Sequence, residues 1–471
     1  MGGIFGVVSS DNCAKTLFYG TDYHSHLGTE NGGMAVLGAK GFYKTVHSVS
    51  QVQFKSRFVD DYKKLEGLEG RFGIGAIDDD SPQPLIFRSK FGVYAVAATG
   101  MISNKNELVN ELLNEGASFG EMADGGVNNA EIVACLINRG NNIVEGIASM
   151  RGAIEGSVCA LVLTEEGIYA ARDKFGRFSL AVGKHKNQQE KKSYVVATEA
   201  SSFENLGYEL VQFLGPGEIV LLTPDGVKLM KPSGEEKKIC SFLWIYTGYP
   251  SSSYEGISVE GTRERCGAYL ARRDNVKADF VSGVPDSGVG HAIGYAMESG
   301  IPYRRALVKY TPGYGRSYTP PTQEIRDLVA TMKLCAVRDV IQGNRIIICD
   351  DSIVRGTQLK NLTIKKLWDN GAKEIHVRPA CPPLMFPCIY ASSTRSTSEL
   401  ACRKAIRALE GKDLENPAEY LDTNSLKHAQ MVDWIRRDIN VTSLRYLTIE
   451  DMIAAIGLPS DQLCLHCWQG K

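Results

Sequence analysis

Residues 346–357 read Ile-Ile-Ile-Cys-Asp-Asp-Ser-Ile-Val-Arg-Gly-Thr, and no other stretch of the chain restricts its fold as much. A buried, β-branched strand, Arg345–Cys349, delivers two adjacent carboxylates, Asp350 and Asp351. A loop of small residues follows and opens a helix from about Gln358 to Asn370. Within that helix Ile364, Leu367 and Trp368 recur at i, i+3 and i+4, which marks its buried face. Backbone N–H groups of such a loop, together with the helix N-terminus, make an anion site sized for a phosphate monoester. The hydroxyls of Ser352 and Thr357 can add donors. Asp350 and Asp351 would repel that phosphate, so they face something else, and a ribose diol or a hydrated Mg2+ suits hard carboxylate oxygens.

The surrounding rhythm fits this turn. Ala278–Val284 is an apolar strand that ends in Pro285-Asp286-Ser287-Gly288, with a helix to Glu298 closed by Gly300-Ile301-Pro302. Ala306–Tyr310 and Glu374–Ala380 read as further strands, with Gly371 stopping the helix before the latter. Strands alternating with helices imply βαβ units and a parallel sheet whose ligands sit at the carboxyl ends of its strands. The N-terminal half differs. Apolar runs at Ile4–Val8, Gly73–Ile77, Tyr94–Ala98, Val158–Leu163 and Ile168–Ala171 are separated by turn residues and interrupted by helices near Asn104–Asn114 and Ala130–Asn138. Polar Pro232–Lys238 is the expected linker.

At 471 residues the chain is long enough for two or three domains. Its 53 Lys+Arg against 54 Asp+Glu leave a net charge of −1, which argues against a nucleic-acid binder working by phosphate neutralisation. No run of 18 apolar residues exists to span a membrane. The start, Met1-Gly2-Gly3-Ile4-Phe5-Gly6, lacks the features of a signal peptide, so a cytoplasmic location is expected. The 12 cysteines are the unusual count. In such a chain most are expected to be small core residues, and Cys464-Leu465-His466-Cys467 alone has ligand-like spacing.

The turn at 350–357 resembles the phosphoribosyl pyrophosphate (PRPP) loop of type I phosphoribosyltransferases. Its form DDSIVRGT resembles that of the glutamine PRPP amidotransferases, which catalyse the first step of purine synthesis. Val284-Pro285-Asp286-Ser287-Gly288 resembles the family's pyrophosphate loop. Lys309, Gly315-Arg316-Ser317-Tyr318, Pro321, Gln323 and Arg326 resemble the flexible loop that closes over PRPP, and Lys333-Leu334 follows at the family's distance. Ser258-Val259, Arg263, Gly267 and Leu270 also match. The resemblance covers nearly all of 240–471 and, more loosely, 1–235. It implies an N-terminal Ntn-hydrolase-like αββα sandwich (1–235), a type I phosphoribosyltransferase parallel-sheet domain (236–445) and a helical tail (446–471). It further implies PRPP binding by Asp286, Ser287, Gly288, Asp350, Asp351, Ser352, Ile353, Val354, Arg355, Gly356 and Thr357, with Mg2+ at Asp350 and Asp351. Arg316 and Lys333 would neutralise the leaving pyrophosphate, while loop closure excludes water. Ammonia needs no strong base, so catalysis would be chiefly positioning and electrostatics.

In one branch of this family four cysteines hold a 4Fe–4S cluster. The matching positions are Cys240, Cys388, Cys464 and Cys467, and the implied role is structural. Tetrahedral zinc would use the same ligands.

The family's N-terminal half hydrolyses glutamine through a terminal cysteine in the context Cys-Gly-Ile-Phe-Gly. Here Gly2 stands at the nucleophile's position. Asp78, in Gly75-Ala76-Ile77-Asp78-Asp79, replaces the arginine that binds the substrate carboxylate. Thr99 in Ala98-Thr99-Gly100-Met101 replaces the oxyanion amide donor. Asn129 in Asn128-Asn129-Ala130-Glu131 replaces the acid that holds the substrate amine. His26-Leu27-Gly28-Thr29 departs as well. Scaffold segments persist, among them Gln83-Pro84, Arg172-Asp173, Ala197-Thr198-Glu199 and Pro216–Ile219. The expected activity is ammonia-dependent amidophosphoribosyl transfer with glutamine hydrolysis lost. The alternative is a PRPP- or nucleotide-binding regulator that no longer transfers anything. The resemblance also implies inhibitory purine nucleotides and a homo-oligomer, a dimer or tetramer. Thr247–Ser252 departs from the family's Phe-Ala-Arg-Pro-Asp-Ser, where altered communication between domains is expected.

Overall fold

A computed structural model describes residues 2–123, 126–310, 334–390 and 396–470. It divides the chain into two compact units: Met1–Cys240 with Ser252–Glu255 and Ile389–Ser393, and Ser241–Ser251 with Gly256–Cys388 and Thr394–Lys471.

The first unit layers helices on two antiparallel sheets. Gly3–Ser9 is buried throughout, as its unbroken apolar sequence demands, because both faces of its sheet are covered. It lies between Phe72–Asp78 and Ser193–Ala197 in a sheet of 7 strands whose edges are Tyr208–Phe213 and Gly41–Ser48. The second sheet, of 6 strands, pairs Gly92–Ile102 with Gly156–Leu163 near its middle. Helix Ala14–Asp22 packs Leu17 and Phe18 into a core with Phe5, Val7 and Phe54. On the other side helices Lys105–Asn114, Asn129–Ile137 and Ile143–Ala153 contribute Leu108, Ile132 and Ile147 to a core with Tyr94 and Val162. Side-chain oxygens of Asn128 and Asn142 accept the free N–H groups at two of these helix starts. The αββα sandwich expected from the sequence is present.

The second unit is built on a parallel sheet ordered Phe280–Gly283, Arg345–Asp350, Glu374–Pro379, Ser443–Leu444. Ile346, Ile348, Ile375 and Val377 share a core with Ile364 and Leu367, and with residues of helices Ala401–Glu410 and Leu426–Asp438. The helical turns between Leu359 and Asp369 bury the face read from the sequence. One strand departs from expectation. Leu307–Lys309 pairs antiparallel with Leu334–Ala336, outside the main sheet. The main sheet holds this segment only through the residues before it, where the Val281 amide donates to the Pro302 carbonyl and the Arg304 amide to the Val281 carbonyl, at 2.9 and 2.8 Å. Among the described residues no helix is long and apolar enough to cross a membrane.

Candidate functional site

The second unit's sheet brings two turns together at the carboxyl ends of its strands. Arg345–Asp350 is in register with Phe280–Gly283, Gly283 opposite Cys349. The Val284 amide donates to the Cys349 carbonyl at 2.9 Å, carrying the ladder into the loop that follows. Gly288, at the start of helix Val289–Ser299, lies against the same carbonyl, where a Cβ would stand 2.2 Å from the Cys349 oxygen. Only glycine lets the loop approach this closely, which is the physical content of that residue in the motif. The hydroxyl of Ser287 donates to Asp350 Oδ1 at 3.1 Å, so Ser287, Asp350 and Asp351 form one cluster.

The acid pair is electrostatically loaded. The Asp351 amide donates to Asp350 Oδ1 at 2.9 Å, and Ser352 donates to Asp351 Oδ2 at 2.5 Å. Burial, and then the Asp351 carboxylate beside it, hold the Asp350 carboxyl well above the ordinary carboxylate range. Burial raises Asp351 too, against the Ser352 hydroxyl that favours its charged form. The nearest basic strand residue does not relieve them. Arg378, opposite Cys349, is committed to a buried ion pair with Asp274 and to the Ser443 hydroxyl. Among the described residues no cation pairs with Asp350 or Asp351, and the cluster is suited to receive a cation or a hydroxyl-rich ligand.

Beyond the acids, Ile353 and Gly356 are buried while Arg355 and Thr357 are exposed. Gly356 adopts φ +76°, and the Val354 carbonyl is held by the Ala401 amide at 2.8 Å. Arg355 pairs with Glu399 at 2.6 Å. Asp286 is exposed and paired with Lys309 at 3.1 Å. Arg316 and Lys333, assigned to the leaving group by resemblance, lie outside the described residues.

In the first unit Gly2, Asp78 and Thr99 meet. A Cβ built on Gly2 would stand 2.6 Å from the Ile77 carbonyl oxygen and 3.3 Å from Thr99 Oγ1. Thr99 Oγ1 donates to the Gly2 carbonyl at 2.7 Å. Asp78 is buried and accepts from Gln83 Nε2 at 2.6 Å, and the same nitrogen donates to the Ala98 carbonyl at 2.7 Å. Burial pushes the Asp78 carboxyl up to about 6. Asn129 has no direct hydrogen bond to these residues among those described. Its amide donates to Ser81 Oγ at 3.2 Å, and its side-chain oxygen is buried without a partner. Gln83, read from sequence only as scaffold, here occupies the acid at the arginine position. Its pairing with Asp78 has no local signal.

A family model described as a glutamine amidotransferase domain matches residues 69–205. The amidophosphoribosyltransferase of Bacillus subtilis is 30% identical, aligned over 100% of this chain and 93% of its own length. That of Methanocaldococcus jannaschii is 31% identical over 100% and 97%. The chain belongs to the amidophosphoribosyltransferase family. The solved B. subtilis glutamine PRPP amidotransferase, complexed with ADP and GMP, has a TM-score of 0.83 at 30% identity and covers 100% of this chain and 96% of its own. Amidophosphoribosyltransferases are phosphoribosyltransferase enzymes, and this member keeps both of the family's folds.

The amidophosphoribosyltransferase branch with a cluster needs four thiols together. Ser241, next to Cys240, donates to the Cys464 carbonyl at 3.1 Å, and Phe242 stacks on Trp468 at 5.1 Å. The amides of Met385 and Phe386 both donate to the Cys467 carbonyl, at 3.0 and 3.1 Å, three and two residues before Cys388. The backbone thus links the segments that carry these thiols, and the donor chemistry suits a cubane or a tetrahedral metal. Among the described residues, however, no three His, Cys, Asp or Glu side chains are grouped closely enough to hold a metal.

Proposed function

We propose that the chain transfers the phosphoribosyl group of PRPP to ammonia and does not hydrolyse glutamine. The bond from the ribose anomeric carbon to pyrophosphate breaks, the carbon–nitrogen bond forms, and ammonia gives up a proton, yielding 5-phosphoribosylamine and pyrophosphate. The observation that carries the transferase reading is the Ser287–Asp350–Asp351 cluster at the carboxyl end of the central strand. Bound Mg2+ would supply charge compensation for the pyrophosphate, and Asp350 and Asp351 are the residues proposed to hold it. The protein's own work is to orient the ribose and to present loop amides to the 5-phosphate.

The crowding at Gly2 carries the second half of the reading. No side chain fits there without displacing the Ile77 carbonyl, and Asp78 would repel the carboxylate of glutamine. Purified protein is therefore expected to release pyrophosphate from PRPP with ammonium chloride and to show no added rate with glutamine. A glutamine-dependent rate would refute the loss. PRPP binding without turnover under saturating ammonium would instead support the regulator reading, which the lost nitrogen donor favours. Adding GMP to the same assay tests whether purine nucleotides inhibit this chain.

For Cys240, Cys388, Cys464 and Cys467 we propose a structural 4Fe–4S cluster, with zinc as the second candidate. Protein purified without oxygen is expected to carry about four irons and as many acid-labile sulfides per chain. About one zinc and no sulfide would select the tetrahedral alternative, and neither metal would remove both.

A further inference from the structure

A cavity of about 380 Å3 lies within the first unit, away from the Gly2 residues and lined by none of them. Arg151, on helix Ile143–Ala153, and Arg177, beyond strand Ile168–Ala171, both line it, and each is only 8% exposed. Neither guanidinium has a carboxylate within ion-pair distance among the described residues. Arg151 has a single bond, from Nη1 to the Arg172 carbonyl at 3.3 Å, and its Nη2 is buried without a partner. Arg177 Nε is likewise unpartnered, and its guanidinium lies 3.5 Å from the centre of the Tyr390 ring and 4.9 Å from that of Phe175. Ser157, 2% exposed, adds an unpartnered hydroxyl to the same wall.

Two cations withdrawn from water without a carboxylate at ion-pair distance are costly to hold. Burial lowers the Arg151 guanidinium to about 10, against the opposing pull of the Asp173 carboxylate. That buried acid forms no ion pair with either guanidinium, and its oxygens accept from the amides of Phe175, Arg177 and Phe178 at 3.2, 3.0 and 3.0 Å. Glu155 and Lys174 also line the cavity and are exposed, the Lys174 ammonium lying 5.1 Å from the Phe175 ring centre.

We propose that this cavity binds a small phosphate monoester. Two guanidinium forks match the geometry of a phosphate dianion, which offers them more acceptor oxygens and more charge than a single carboxylate does. Met150, Ile154 and Val158 give the organic portion an apolar floor. The volume falls within the ~300–1,000 Å3 of small-molecule sites. This site is separate from the transferase cluster and does not depend on its activity.

The test is equilibrium dialysis of the full chain with labelled ribose 5-phosphate, which the transferase loop also binds. The wild type is expected to show a second site per chain. Arg177→Gln should weaken that site by about thirtyfold or more and leave the first unchanged. Lys174→Glu, at an exposed position that does not threaten folding, should weaken it several-fold. Pyrophosphate release with ammonium should be the same in both variants. A wild type with no site that Arg177→Gln weakens overturns the proposal, as does unaltered stoichiometry and affinity in both variants; a single site that Arg177→Gln weakens supports it and counts against the transferase loop instead. Equal competition by succinate would overturn the assignment to phosphate.

Discussion

Replacing Asp350 with Asn is expected to lower ammonium-dependent pyrophosphate release by at least about a hundredfold, while the protein becomes more stable. The two effects have one cause. Burial and the neighbouring Asp351 hold the Asp350 carboxyl well above its ordinary range, so its ionised form is strained in the folded chain. A carboxyl whose pKa is raised by folding favours the folded state while protonated. That contribution is present at low pH and is lost as pH rises from the unfolded value toward the raised folded one. At neutral pH the substitution removes the repulsion, and the melting temperature should rise. The oxygen that Ser287 and the Asp351 amide orient is retained as an acceptor, so loss of activity would report the missing charge. Full activity in the variant, or a loss that follows unfolding, would refute the assignment.

Restoring the nucleophile alone should fail. Gly2→Cys is expected to give no glutamine-dependent rate and to cost about 1–3 kcal/mol of stability. The new Cβ meets the Ile77 carbonyl at 2.6 Å, and that carbonyl belongs to the central strand Phe72–Asp78, which cannot yield without disturbing its neighbours on both sides. Even with room made, Asp78 stays beside Gly2, buried and tied to Gln83, where it would repel a substrate carboxylate. The measurements are a glutaminase assay and a melting curve. Glutamine hydrolysis by the single variant would show the pocket to be intact apart from its thiol.

The transferase turn was legible because every part of it is local. A buried strand, two acids, a tight glycine and an amphipathic helix follow one another, whereas the close approach at Gly288 is set across the sheet by the Cys349 carbonyl of the neighbouring strand. The sequence also singles out Gly2, Asp78 and Thr99, and the structure places these three together. What filled the space could not be read, because the partnership of Asp78 with Gln83 and Ala98 is set by sheet pairing over distances that carry no periodic signal. The short strand Leu307–Lys309 has the composition of a core strand, and only tertiary pairing assigns it to a separate two-stranded ladder. Arg151 and Arg177 were invisible for the same reason. A charged residue in sequence gives no warning that folding will bury it without a partner.

The first unit is closed by pieces of chain made long after its sheets. Glu255 accepts from buried Arg172 at 2.7 Å, and the Ile389 carbonyl accepts from Ser103 Oγ at 2.5 Å. During synthesis at ~5–20 residues per second, the ribosome reaches residue 389 on the order of ten seconds after Cys240. For that interval the N-terminal sandwich is a nascent fold with one wall missing, and Arg177 waits for Tyr390 in water. A gene fragment stopped at the end of the last sandwich strand would leave the unit in that state permanently, so its completion waits for synthesis through Tyr390.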